Sequence, residues 1–175
     1  LAAELYADNI VVNALAPLNV HVDWIDERDE EVPPDSALPA HTRKVCVDSL
    51  EAEVKEAPRG AFYLVLTHRH DLDLRIAEAI LRRGDFSFFG LIGSQTKRAR
   101  FIHRFEERGI AAQAIARMTC PIGVSGIEGK EPEVIAASVV AQLLQAASAA
   151  CGPSRAQAQA SASLRSAATS STLTV

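Results

Sequence analysis

Two apolar segments, each running into a polar or glycine-containing loop, constrain the fold of this chain more than any other feature. The first reads AFYLVLTHRHDLD over residues 61–73, and the second reads FSFFGLIGS over residues 86–94. Short continuous apolar runs of this kind are typical of central strands in a parallel sheet that helices cover on both faces. Ligands of such sheets bind beyond the carboxyl ends of the strands. We therefore expect the chemistry of this protein at these two loops.

A helical pattern follows each of these strands. Leu72, Ile76 and Ile80 recur at helical spacing, and Gly84 stands where a C-terminal cap glycine belongs. The hydroxyl of Ser94 is suited to cap the next helix, which is predicted to stop at Gly109. The side chains that this second helix is predicted to bury are Phe101, Ile102 and Phe105.

Shorter segments complete an alternating order of strands and helices. We predict strands over residues 20–25 and 45–47 and a short helix over residues 49–56. The region between the two strands, residues 32–43, contains three prolines and is predicted to be irregular. Pro132 fits the first turn of a further helix, where its missing N–H is harmless. The core stripe of that helix is Ile135, Val139 and Leu143. Alternating strands and helices predict an α/β fold with a parallel sheet.

Composition excludes several classes of protein. The net charge of −4 offers no general basis for binding nucleic acid, and three scattered cysteines form neither a disulfide framework nor a zinc ribbon. No uninterrupted apolar run approaches the roughly 18 residues that cross a bilayer. We therefore expect a soluble, cytoplasmic protein that contacts no membrane and no nucleic acid.

The chain is expected to hold one main domain over residues 1–150. Residues 151–175 are rich in Ala and Ser and poor in large apolar side chains, so we predict a disordered low-complexity tail there. An Ala-rich helical extension is the alternative for this tail. Position 1 is Leu and the only methionine is Met118, so we expect the natural start to lie upstream.

The loop after the first apolar strand gathers two imidazoles and two carboxylates, in His68, His70, Asp71 and Asp73. Such a set can bind a metal, orient a polar ligand or transfer protons. It matches the HxHxDH signature of metallo-β-lactamase-type hydrolases only in part, since Asp73 comes one residue too late. The other alternative is that His70 or Asp71 caps the helix while its neighbours bond the backbone.

The loop after the second strand has the requirements of a phosphate or carboxylate site. Its glycines allow close backbone approach, and the helix N-terminus that follows presents free N–H groups. Positive charge follows in Lys97, Arg98 and Arg100. The alternatives are that a strand-to-helix turn needs glycine for geometry alone, and that the basic side chains form a solvated face.

A third glycine-rich loop, CPIGVSGIEGKEP over residues 120–132, leads into the last predicted helix. It is long enough to close over a ligand. Cys120 could offer a thiolate to a soft metal or to sulfur chemistry. The alternative is that Cys120 is simply a small buried residue.

Together, the segments THRHDLDL, FGLIGSQTKRARF and CPIGVSGIEGKEPEVIAASVVAQLL resemble the C-terminal Rossmann-like domain of the xanthine dehydrogenase accessory protein family (XdhC/CoxI). The segments ALAPL and WIDERDEEVP extend the resemblance, which runs from about Leu15 through Leu144. The resemblance implies a parallel sheet with helices on both faces. It also implies a role in maturing a molybdenum hydroxylase of the xanthine dehydrogenase type, as a cofactor-binding chaperone rather than a catalyst.

By the same resemblance the protein binds the molybdenum cofactor (molybdopterin) and supports its sulfuration or insertion. Its partners would be the apoenzyme and a cysteine desulfurase, and a homodimer is compatible with this role. No catalytic residue and no metal ligand is implied. The cofactor-binding positions are His68, His70, Asp73, Gly90, Gly93, Ser94, Lys97, Arg98, Cys120, Pro121 and Gly123.

The start of the chain departs from the family pattern. Members carry a glycine fingerprint of the type GAGHVG, whereas residues 5–15 read LYADNIVVNAL and no glycine precedes Gly60. We therefore expect the first βα unit to be incomplete or degenerate. Asp26 still occupies the place of a ribose-binding acid, but the missing fingerprint argues against NAD(P). An NAD(P)-dependent oxidoreductase and a degenerate partner-binding module without a small ligand remain the alternative functions.

Overall fold

The computed structural model describes residues 10–18, 20–28, 33–67, 69–127, 129 and 131–150. The strands are β1 (Val22–Asp26), β2 (Thr42–Cys46), β3 (Phe62–Val65), β4 (Phe88–Leu91) and β5 (Met118–Thr119). The helices are α1 (residues 10–15), α2 (Leu50–Glu56), α3 (His70–Arg83), α4 (Gln95–Glu107), α5 (Ala112–Ala116) and α6 (Pro132–Ala150). Short 3-10 turns lie at Ala16–Leu18 and Asp35–Ala37.

All strand pairs among the described residues are parallel. One sheet has the order β1-β2 and the other has the order β3-β4-β5. In register, Val22 pairs with Thr42, Val65 with Leu91, and Phe89 with Met118. The parallel architecture predicted from the sequence is therefore confirmed.

Helices cover both faces of the strands, and two apolar layers result. The layer that we call the α3 layer includes Ile80, Phe89 and Phe105, all fully buried. The layer that we call the α6 layer is built on Val11 and Val139, and Leu64 packs against it. Consecutive residues of a strand point to opposite faces. The sequential pair Leu64 and Val65 contacts the α6 layer and the α3 layer respectively, so the two layers lie on opposite sides of the sheet.

The predicted helix boundaries agree with the structure because they follow from local chemistry. Gly84 ends α3 in the left-handed conformation with φ of 69°, and its N–H donates to Ile80 O at 3.0 Å. The Ser94 hydroxyl accepts a hydrogen bond from Lys97 N at 3.2 Å and caps α4. Gly109 follows α4 with φ of 71°.

Three elements were not predicted: α1, α5 and β5. Elements α5 and β5 have too few residues to show a periodic pattern. Strand β2 also begins at Thr42, earlier than the predicted 45–47, because pairing with β1 extends it into the proline-rich region. The predicted tail over 151–175 lies outside the described residues.

Helix α6 is long and apolar enough to span a membrane by length and composition alone, with 19 residues and a mean hydropathy of 1.4. Its apolar run is interrupted by Ser138 and Gln142, which is why the sequence does not show an uninterrupted span. In the folded chain, Ala136 and Val139 of this helix are buried in the α6 layer.

Candidate functional site

The carboxyl ends of β3 and β4 carry a buried ion pair. Asp73 lies in the first turn of α3 and is 0 % exposed, and Lys97 lies in the first turn of α4 and is 7 % exposed. The ammonium of Lys97 contacts Asp73 Oδ2 and also donates to Ile92 O at 2.8 Å. The two helices that follow these strands are therefore joined at their N-terminal ends.

Thr67 completes this arrangement from the loop after β3. Its Oγ1 donates to Asp73 Oδ1 at 2.7 Å and accepts from Arg69 N at 3.2 Å. Both carboxylate oxygens of Asp73 thus have a partner. We call Thr67, Asp73 and Lys97 the strand-end cluster.

The electrostatics of the cluster follow from its burial. Burial raises the pKa of the Asp73 carboxyl, and the hydrogen bonds from Lys97 and Thr67 offset part of that rise. The Lys97 ammonium neutralises this carboxylate. It is consequently not a free cation for a ligand in this conformation.

The glycines of the second loop leave room for protein side chains. A Cβ on Gly93 would lie 2.6 Å from Cδ of Lys97, and a Cβ on Gly90 would overlap the side chain of Ile122. Gly93 therefore lets Lys97 fold back toward Asp73. In this structure the space beside both glycines is therefore filled by protein side chains.

The third loop is fixed to α6 by polar side chains. Gly123 N donates to Gln142 Oε1 at 2.9 Å, Gln142 Nε2 donates to Gly123 O at 2.8 Å, and Val124 N donates to Ser138 Oγ at 2.7 Å. Sequence reasoning missed Ser138 and Gln142. Their signal was a polar pair at i and i+4 beside the apolar stripe of α6.

Cys120 lies buried where this loop begins, and the peptide bond between Cys120 and Pro121 is cis. Burial raises the pKa of its thiol, although the positive charges of Lys97 and Arg98 lower it in part. The thiol form therefore prevails near neutral pH. Within the described residues, no group of three or more His, Cys, Asp or Glu side chains is placed to hold a metal ion.

Two polar side chains at this edge stay outside the strand-end cluster. His70 begins α3 and is exposed, and Arg98 is half-buried on α4 next to Lys97. Both act electrostatically on the site, since His70 interacts with the Asp73 carboxyl and Arg98 with the Cys120 thiol. His68 lies outside the described residues.

Three further polar side chains, those of His103, Asp26 and Arg69, form contacts outside the strand-end cluster. His103 is exposed on α4, with Nδ1 3.4 Å from Glu107 Oε1, so it belongs to a surface pair. Asp26 ends β1 as expected, and its Oδ1 accepts from Arg28 N at 2.9 Å. Arg69 bridges the loops after β1 and β3, since it pairs with Glu27 at 2.6 Å and with Asp71 at 2.9 Å.

This geometry brings the three predicted loops together at one sheet edge. The described candidates at that edge are His70, Asp73, Gly90, Gly93, Ser94, Lys97, Arg98, Cys120, Pro121 and Gly123. A family model described as the XdhC Rossmann domain matches residues 6–143. The chain therefore belongs to the XdhC Rossmann domain family, and the family resemblance seen in the sequence is confirmed.

The chain is also similar to a curated protein and to a solved structure. The uncharacterized protein YqeB of Escherichia coli (strain K12) is 28% identical over 145 residues, which are 80% of this chain and 25% of that protein. The crystal structure of a xanthine dehydrogenase from Bacillus halodurans superposes with a TM-score of 0.65 at 23% identity, covering 82% of this chain and 40% of that chain. The second likeness supports the fold alone. This chain spans a quarter of the first relative and two fifths of the second.

Proposed function

We propose that this domain serves in the maturation of a xanthine dehydrogenase-type molybdenum hydroxylase, as a cofactor-binding chaperone rather than a catalyst. The observation that carries the proposal is the family match across residues 6–143, which contains all three loops of the candidate edge. A reduced cytoplasmic setting fits the free thiols of Cys46 and Cys120.

The molybdenum cofactor would bind at the carboxyl ends of β3 and β4. Its pterin carries a terminal phosphate, and an anion there is favoured by the N-terminal N–H groups of α4 and by the guanidinium of Arg98. His70, exposed at the start of α3, would donate to the polar pterin, and the neighbouring His68 is assigned to the same part of the ligand. When bound, the cofactor supplies the redox-active metal of the hydroxylase that receives it.

Only some of the polar side chains at these strand ends are available to contact such a ligand. Ser94 already accepts from Lys97 N, and Lys97 and Asp73 already neutralise each other. These three residues would therefore act as positioning residues that hold the two helix starts, rather than as direct contacts. Arg98 and His70 retain donors for the ligand.

Delivery to the apoenzyme and the supply of sulfur by a cysteine desulfurase complete the proposed role. Cys120 would not carry that sulfur itself, because its buried thiol stays protonated near neutral pH. The residues of this chain would then only hold the cofactor, and the partner would supply the sulfur. The glycine-rich loop that Ser138 and Gln142 fix to α6 would form one wall of the site.

The test is cofactor retention by purified Arg98→Ala and His70→Ala variants, read from molybdenum content and pterin fluorescence. Losing one charge-assisted contact should cost about 1.5 to 3 kcal/mol, or roughly tenfold to a hundredfold in affinity. Arg104→Ala, on the same helix and exposed, is the matched control. Circular dichroism verifies the fold of each variant. Retention by Arg98→Ala equal to that of the wild type would show that the cofactor site lies elsewhere.

Titration with NAD(H) and NADP(H) separates this proposal from the oxidoreductase alternative. We expect weak or no binding, because residues 7–12 contain no glycine and so offer no glycine turn for the pyrophosphate. Micromolar affinity for a dinucleotide would favour the oxidoreductase. Capture of the apoenzyme without any retained cofactor would favour the partner-binding module.

A further inference from the structure

Two histidines lie side by side at the amino ends of the β1-β2 sheet, the end opposite to the carboxyl ends that carry the candidate site. His21 directly precedes β1, and His41 directly precedes β2. Their rings make an edge-to-face contact, with 5.4 Å between the centroids and 82° between the planes. Both residues are exposed, so an ion can reach the pair from solvent.

The backbone holds these two histidines next to each other. Val22 N donates to His41 O at 3.0 Å, which continues the parallel pairing of β1 with β2. His41 itself lies in a tight turn, since its φ is 65° and Thr42 N donates to Pro39 O at 3.1 Å. The positions from which the two rings project are therefore set by the fold and not by a ligand.

The neighbouring charged pair on the same face of the sheet is already satisfied. Asp23 and Arg43 each follow one of the histidines by two residues, so they lie on the same face. Arg43 Nε and Nη2 donate to the two carboxylate oxygens of Asp23 at 2.9 and 3.1 Å. Among the described residues, no hydrogen bond or ion pair engages either imidazole ring. The imidazole nitrogens are therefore available as ligands, and the Asp23 carboxylate is not.

The spacing of the two rings matches that of two imidazoles bound to one tetrahedral ion. Zn²⁺ binds histidine nitrogen at about 2.0–2.1 Å, which places each ring centroid about 3.2 Å from the metal. At the tetrahedral angle, the centroids of two such rings lie about 5.2 Å apart. The distance of 5.4 Å is close to this value. Rotation of the rings about their side-chain bonds can therefore bring one nitrogen of each to a common point without backbone movement.

We propose that His21 and His41 form a two-imidazole site for a divalent transition-metal ion, Zn²⁺ or Cu²⁺. Both ions favour imidazole nitrogen, whereas Mg²⁺ and Ca²⁺ favour oxygen ligands. Water completes the coordination, because Asp23 is paired with Arg43. A bound ion joins the amino ends of β1 and β2, so it stabilises this sheet and takes no part in the chemistry at the carboxyl ends.

Calorimetric titration of the 175-residue chain with Zn²⁺ tests the site. We expect binding to weaken by roughly tenfold or more in His21→Gln and in His41→Asn, because each variant keeps only one of the two imidazoles. Asn is chosen at position 41 because it adopts the left-handed conformation readily. His103→Asn, which removes an exposed imidazole on α4, is the matched control and should bind as the wild type does.

Equal affinity of the wild type, His21→Gln and His41→Asn overturns the proposal. Loss of binding in His70→Asn, with none in those two variants, also overturns it, because the ion would then lie at the carboxyl ends of the strands. Circular dichroism verifies the fold of each variant. Zn²⁺ should also raise the Tm of the wild type by a few degrees and leave that of His41→Asn unchanged, because the ion binds the folded chain.

Pulsed electron paramagnetic resonance of Cu²⁺ gives a second readout that does not depend on the variants being folded. The unaltered chain with one equivalent of Cu²⁺ should show coupling to two imidazole nitrogens, and addition of Zn²⁺ in excess should displace the Cu²⁺ signal of that species in part. A spectrum with a single imidazole overturns the proposal.

Discussion

Two ion-pair systems of this domain show how burial changes the contribution of a charged side chain to stability. The strand-end cluster joins α3 and α4 through Asp73 and Lys97, both buried. A second system, which we call the surface network, joins Glu78 to Arg82 at 2.9 Å and to Arg108. There the two arginine side chains are 52% and 41% exposed. A carboxylate therefore pairs with basic side chains near the surface in one place and inside the protein in the other.

The difference lies in the cost of removing one partner. In water, an unpaired charge is solvated again, and exposed pairs contribute only about 0.2–1 kcal/mol. Inside the protein, removing one partner leaves an uncompensated charge, which costs about 3–5 kcal/mol. The strand-end cluster should therefore govern the stability of the candidate site, and the surface network should not.

The largest expected effect is that of Asp73→Ala. It leaves the Lys97 ammonium buried without its carboxylate, so the free energy of unfolding should fall by about 3–5 kcal/mol. Urea denaturation measures it. Asp71→Ala, two residues earlier on the same helix and exposed, is the control and should change the stability by less than about 0.5 kcal/mol. Equal effects of the two substitutions would contradict the idea that burial sets the cost of removing a carboxylate from α3.

Lys97→Met should cost less, about 2–3 kcal/mol near neutral pH. Met retains the apolar stem next to Gly93, and Asp73 can escape its buried charge by protonation. Burial already raises the pKa of Asp73, and the loss of Lys97 should raise it further. A carboxyl with a raised folded-state pKa contributes stability below its unfolded pKa and loses it as pH rises through the folded value. The difference in the free energy of unfolding between Lys97→Met and the wild type should therefore become smaller as the pH falls from about 7 to about 4. A difference that stays constant over this range would contradict this account.

Ser94→Ala tests whether the cap of α4 matters apart from the ion pair. It removes the acceptor of Lys97 N, so we expect a loss of about 1 kcal/mol in the free energy of unfolding. Thermal melts followed by circular dichroism give the value. Ser94→Asp, which keeps an acceptor, should recover most of the loss, and a failure to recover would assign another role to the hydroxyl.

The smallest effect is expected for Glu78→Ala in the surface network, about 0.5 kcal/mol. Partial burial alone would raise the pKa of Glu78, but hydrogen bonds from Arg82 and Arg108 lower it overall. A carboxyl with a lowered pKa contributes stability above its unfolded value and loses it as pH falls. The effect of the substitution should therefore vanish in acid and weaken in salt. A loss comparable to that of Asp73→Ala would show that exposure is not what separates the two systems.

Much of the fold could be predicted because its signals are local. The cap role of Ser94, the helix end at Gly84 and the helix that begins at Pro132 each depend on neighbours within one or two turns. The apolar runs around β3 and β4 predicted parallel central strands, and both pair in parallel. The three loops lie close together for the same reason, since the carboxyl ends of parallel strands lie at the same end of a sheet.

The contacts that the candidate residues make in the folded chain could not be predicted from the sequence. Asp73 and Lys97 are far apart in the sequence, and nothing in either segment shows that they pair with each other. Both were predicted to contact a ligand, whereas Gly93 allows Lys97 to fold back onto Asp73. Ser138 and Gln142 had no assigned role until the fold brought the glycine-rich loop against α6.

The sequence by itself determined the order of strands and helices, the parallel architecture, the positions of the helix caps and the family of this domain. These depend on periodicity, glycine and proline geometry and short motifs, all of which act over a few residues. Only the tertiary structure decided which charges are buried, because burial depends on contacts between segments that are distant in sequence. The first turns of α3 and α4, for example, meet at the carboxyl ends of β3 and β4. The energy of a charge depends on that surrounding medium, so the roles of Asp73 and Lys97 could be assigned only in the folded chain.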